Sequence, residues 1–81
     1  MEQDRLVIGI WDEIVVRGKP CSVRTDLLDD GSWETMVFPY KSKYKVDFSN
    51  PLHTMHYETE KEARVGHIDI IATLCGTKGL I

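Results

Sequence analysis

The stretch that most constrains this chain is Thr59 to Leu74, TEKEARVGHIDIIATL, closed by Cys75 and Gly76. Its start, interior and stop all specify one element, an amphipathic helix. Thr59 followed three residues later by Glu62 makes a capping box, in which the hydroxyl accepts from the Glu62 amide and the carboxylate reaches back. Glu58, Glu60 and Glu62 place negative charge at the positive end of the helix dipole. Gly76 suits a left-handed cap, with Lys78 near the negative end. At about 100° per residue, Ala63, His67, Ile70, Ile71 and Leu74 form one stripe. Val65, Ile68 and Ala72 fall on the other side, leaving Glu62, Asp69 and Thr73 for water.

An apolar arc that wide exceeds what one sheet covers. A second surface must therefore meet the helix, either the chain's own 40–58 segment or a partner. Gly66 costs about 1 kcal/mol relative to Ala in a helix interior, so its missing side chain predicts a close approach by another element. His67, one turn after Ala63, reads as an imidazole whose nitrogens bond backbone or a hydroxyl and lock helix to sheet. No nucleophile or carboxylate stands at a recognisable catalytic spacing from it.

Upstream, the pattern is that of short strands. Leu6 to Ile10 and Ile14 to Val16 are β-branched and apolar, interrupted by Trp11-Asp12-Glu13, with Gly9 a candidate bulge. Residues 4–16 are compatible with one bent strand, two strands or a helix. Arg17 to Pro20 is a turn, and Cys21 to Leu28 alternates as a half-buried strand. Asp29-Asp30-Gly31-Ser32 is a strong hairpin signal leading into Trp33 to Phe38, which Pro39 is expected to end. Trp33, Thr35 and Val37 share one face of that strand; Glu34, Met36 and Phe38 share the other. Residues 40–58 form the least regular segment, with a short extra strand expected at Tyr44 to Phe48. The predicted fold is one α+β domain over residues 1–81: a small antiparallel β-sheet of three to four strands, with the C-terminal helix packed on a face.

Eighty-one residues bury only about 60% of the surface that the extended chain exposes, so such a domain is marginal alone and a homodimer interface would help. With 42% hydrophobic and 28% charged residues, the composition is that of a globular chain and excludes wholesale disorder. The net charge of −3 argues for neither DNA mimicry nor phosphate binding through bulk charge. No apolar run approaches a membrane span, and no signal peptide opens the chain. The expectation is a cytosolic protein with Cys21 and Cys75 reduced, although a disulfide between them is possible in principle.

Other constellations each have a plain structural explanation beside the functional one. His53-Thr54-Met55-His56, with His67 or Cys75, lacks the paired cysteines of structural zinc sites, so no metal or cofactor is expected and surface histidines account for it. Asp26, Asp29, Asp30 and Glu34 suit turn chemistry better than a cation. Tyr40, Lys41, Lys43, Tyr44 and Lys45 can contact nucleic acid or a nucleotide, with His53 or His56 alongside; they equally suit an exposed strand whose lysines block edge pairing.

Glu34 to Phe38 (ETMVF), followed after an irregular segment by Tyr57-x-Thr59-x-x-Glu62-Ala63-x-x-Gly66-His67, resembles a group of short proteins encoded by tailed bacteriophages and prophages. The resemblance covers residues 33–74; the lysine-rich segment between the two strings departs from it. It implies an accessory gene product in the host bacterial cytoplasm and carries no activity or catalytic residue. The expected function is non-enzymatic binding, with possible inhibition, of a host or defence macromolecule, through Val65, Ile68 and Ala72. Thr59, Glu62, Gly66 and His67 are expected to be structural. Binding of a small anion or nucleotide through residues 40–45, or a structural role, are the alternatives. A metal-dependent enzyme is a further and weaker one.

Overall fold

A computed structural model describes residues 9–76. The chain runs as β1 (Gly9–Val16), β2 (Lys19–Leu27), β3 (Trp33–Ser42), β4 (Lys45–Val46), β5 (His53–Tyr57) and α1 (Glu60–Leu74). This is the predicted small α+β fold: one antiparallel sheet with a single C-terminal helix laid on it. β3 is central. It pairs with β2 along one side, while its other side is shared between β5, opposite Trp33–Val37, and β4, opposite Tyr40 and Ser42.

The turns follow the residues that make them cheap. Arg17 and Gly18 both have positive φ, +52° and +81°, and join β1 to β2 as a two-residue turn whose twist suits a tight hairpin. At the next hairpin the Asp30 carboxylate accepts from the Ser32 amide at 2.9 Å and Gly31 sits at φ +88°. The turn expected at residues 29–32 is there.

Four expectations need correction. Trp11, Asp12 and Glu13 do not interrupt a strand; they pair in unbroken register with Arg24, Val23 and Ser22 within β1. Gly9 is not a bulge: a side chain there would meet the Asp26 carboxylate at 2.7 Å, so its role is close approach. Pro39 does not end β3, which continues to Ser42. Its carbonyl accepts from the Asp47 amide at 2.8 Å on the side where β5 has stopped and β4 begins, so the missing N–H breaks no bond to β2. Finally, His53–Tyr57, expected to be loop, is a strand. Residues 4–8, Lys78 and the tail after Gly76 lie outside the described residues.

The helix-facing side of the sheet holds Cys21, Val23, Thr25, Trp33, Thr35 and Val37, all buried. Ala63, His67 and Ile70 of α1 are buried as well, with Ile71 and Leu74 packed against the cluster around Val23 and Val37. Thr59 caps the helix as expected, accepting from the Glu62 amide while Glu62 accepts from the Thr59 amide. The opposite side of the sheet has its own cover. Phe48, from the loop between β4 and β5, meets the Phe38 ring edge-on at 5.1 Å, and the Arg24 guanidinium lies 4.3 Å from the Trp11 ring and 5.1 Å from Phe48. Ser22 and Phe38 are buried beneath it.

Candidate functional site

The residues that join helix to sheet form a polar chain. His67 Nδ1 lies 2.7 Å from the Thr25 hydroxyl, which lies 2.6 Å from the Thr35 hydroxyl. His67 Nε2 lies 2.8 Å from the Asp12 carboxylate. An ionised carboxylate only accepts, so Nε2 carries a proton; in the neutral imidazole Nδ1 then accepts from Thr25, and Thr25 accepts from Thr35. The Thr25 and Thr35 hydroxyls and both His67 nitrogens each have a partner, and the arrangement orients the ring.

His67 therefore locks helix to sheet through a hydroxyl, as its place on the apolar stripe predicts. The carboxylate partner was not expected: Asp12 is supplied from β1, 55 residues away. A carboxylate, an imidazole and a hydroxyl in line have the composition of a nucleophilic triad. Thr25, Thr35 and His67 are 0%, 1% and 2% exposed, so no external carbonyl reaches that hydroxyl. The geometry suits cohesion.

Among the described residues, the other side of α1 is open at Val65 and Ile68. Val65 and Ile68 are 63% and 68% exposed, adjacent along the outer stripe, and Ala72 is half-buried at its end. Beside them runs a groove of about 440 Å³ lined by Tyr57, Lys61, Glu62, Val65, Gly66 and Asp69. At Gly66 the Tyr57 ring lies where a side chain would be, and both residues line the groove. The 40–58 segment does not cover the stripe; its Phe48 is committed to the opposite side of the sheet.

The Tyr/Lys segment divides. Tyr40 and Lys41 lie on β3, Lys43 and Tyr44 form the tip and Lys45 starts β4. Tyr40, Lys41 and Lys43 line a cleft at this end of the sheet, whereas Tyr44, 84% exposed, and Lys45 lie outside its lining. The Tyr40 hydroxyl donates to Glu13, which also accepts from Trp11 Nε1 and from Ser22. Burial works to raise the Glu13 carboxyl, but these three hydrogen bonds and the Arg24 charge outweigh it and hold the group below its ordinary range. The same hydrogen bond to Glu13 pushes the Tyr40 phenol up.

His53 and His56 stay exposed, and His56 Nε2 pairs with Glu34 across the strands at 2.9 Å. Among the described residues no group of three His, Cys, Asp or Glu side chains is placed to hold a metal ion, and no helix is long and apolar enough to cross a membrane. Cys21 is buried and Cys75 exposed, both as free thiols. No family model matches this chain, and neither a curated protein nor a solved structure matches it. The fold and these surfaces define a small α+β domain with one sealed helix face and one open one.

Proposed function

We propose that this chain is a non-catalytic protein-binding module whose contact surface is the outer stripe of α1. The observation that carries the reading is the pair Val65 and Ile68, 63% and 68% exposed on a helix whose inner face is already packed. Two exposed β-branched side chains, flanked by a groove able to take a side chain from a partner, suit an apolar protein surface rather than a phosphate backbone. The resemblance to tailed-phage proteins directs the proposal towards a host or defence protein in a bacterial cytoplasm, whose activity the contact would inhibit.

A second copy of the chain is the alternative occupant. Val65, Ile68 and Ala72 repeat at intervals of three and four residues, the spacing of a helix-pairing seam, and a second copy presents the same seam. A photoreactive residue placed at position 68 tests both. It should crosslink a bacterial protein in lysate, or a second copy of the chain, while the same residue at position 54, on the opposite side of the sheet, does neither. Absence of any adduct specific to position 68 contradicts the proposal.

A further inference from the structure

A cleft of about 760 Å³ opens at the end of the sheet away from the Asp29–Ser32 hairpin. Two parts of the chain distant in sequence build it. The β1–β2 turn and the start of β2 contribute Val16, Arg17, Lys19, Pro20 and Cys21, and the end of β3 contributes Pro39 to Ser42, with Lys43 and Leu52 beyond. Antiparallel pairing of Cys21 with Pro39 brings the two together. α1 takes no part, so this cleft is separate from the stripe assigned above to protein binding.

Its chemistry is divided. Val16, Pro20, Cys21, Pro39 and Leu52 supply apolar surface, whereas Arg17, Lys19, Lys41 and Lys43 supply four of the chain's ten Lys and Arg residues. Among the described residues no Asp or Glu lines the cleft, and none of the four cations is in an ion pair. Two of the described carboxylates stand near the lining: Glu13, which accepts from the Tyr40 hydroxyl, and Asp47, whose carboxyl is held low by Ser49 and, more weakly, by the Lys41 charge. In a chain of net charge −3, this is a local concentration of positive charge around a concave apolar floor.

We infer that this cleft binds a small amphipathic anion: an apolar body lying on Val16, Pro39 and Leu52, with a phosphate held by the lysines and Arg17. The volume falls within the range of about 300–1,000 Å³ typical of small-molecule sites. Lysine ammoniums serve phosphate as point charges, and an arginine fork adds bidentate hydrogen bonds. Pro39 faces the helix side of the sheet with Cys21, its partner across the strands, whereas Pro20 and Tyr40 alternate to the other side, where Tyr40 bonds Glu13. A nucleoside monophosphate is the simplest probe of this class.

The test is a titration of the ¹⁵N-labelled protein with adenosine monophosphate, adenosine, inorganic phosphate and a thymidine oligonucleotide. The monophosphate should give saturable shifts at Arg17, Lys19, Lys41, Lys43 and Leu52, and should bind more tightly than either adenosine or phosphate. The Lys41→Glu/Lys43→Glu variant, whose positions are exposed, should keep the spectrum of a folded protein and lose affinity by about tenfold or more. Four results would overturn the inference: no saturable shift, phosphate alone binding as tightly as the monophosphate, an unchanged affinity in the folded double variant, or the oligonucleotide outcompeting the monophosphate. None of these bears on the α1 stripe, so the two proposals fail independently.

Discussion

The Tyr57 ring occupies the space that a side chain at position 66 would need: a Cβ there would fall 2.2 Å from the Tyr57 hydroxyl oxygen and 2.3 Å from Cζ. Gly66 is tolerated inside α1 because β5 delivers an aromatic ring onto the helix at that point. Alanine would favour the helix by about 1 kcal/mol but must displace the ring, an overpacking cost of about 1–3 kcal/mol. Gly66→Ala should therefore lower stability by up to about 2 kcal/mol in the native background, the displacement cost set against the helix gain. With Tyr57→Ala already present, the same change should stabilise by about 1 kcal/mol. A double-mutant cycle in urea reads the sign reversal; equal effects in both backgrounds would show that Tyr57 is not the cause.

The polar chain from Asp12 through His67 to Thr35 makes a graded prediction. Thr25→Val keeps the shape and removes both hydroxyl bonds, stranding His67 Nδ1 and the Thr35 donor, and should cost about 1–3 kcal/mol. His67→Ala adds a cavity and should cost about 2–4 kcal/mol. Asp12→Asn should cost less than about 1 kcal/mol, because that side chain is 53% exposed and water replaces it. Thermal unfolding orders the three; each kcal/mol corresponds to about 4–8 °C in a domain of this size.

Glu13 and Tyr40 make a pH prediction with two limbs. The Glu13 carboxyl is lowered in the folded state, so its contribution is complete above the unfolded value of about 4.3 and is lost as pH falls through the lower folded value. The Tyr40 phenol is raised, so its contribution is complete below about 10 and is lost as pH rises through the higher folded value. Asp30 and Asp47, held low by hydrogen bonds from Ser32 and Ser49, add to the acid limb. Glu13→Gln should flatten part of the acid limb in urea midpoints and return the Tyr40 ultraviolet titration towards its usual pH. An unchanged Tyr40 titration would separate the two residues.

Burial, and then the neighbouring Cys75, push the Cys21 thiol up. Alkylation with iodoacetamide at neutral pH should therefore label Cys75 and leave Cys21 untouched until urea is added. Equal labelling of both in the native protein would contradict the packing of Cys21 beneath Ile70.

The helix was legible because every signal for it is local: Thr59 and Glu62 three residues apart, apolar positions at helical spacing and Gly76, at φ +76°, after the last of them. The Asp-Asp-Gly-Ser turn was legible for the same reason. β5 was not, since His-Thr-Met-His-Tyr carries no β-branched apolar alternation even though the turn-like Asp47 to Pro51 precedes it, and it becomes a strand because β3 offers a free side. Pro39 misled because proline disfavours a strand only where its missing donor is needed. The Asp12 contact to His67 and the basic cleft had no sequence signature; both arise when strands distant in the chain come into register. The outer stripe was visible in the periodicity, but whether the 40–58 segment would cover it depended on where Phe48 goes.

Pairing Ile68→Asp with the wild-type chain in one affinity-capture experiment, with light scattering and thermal unfolding on the same preparations, tests the central claim most directly. Ile68 is 68% exposed, so the substitution should leave the thermal midpoint within the small range usual for surface changes. The account predicts that the wild-type protein retains a bacterial protein or has the mass of a dimer, and that the variant loses that partner while staying folded. Retention of the same partner in the same amount, with the same solution mass, by both proteins would contradict it.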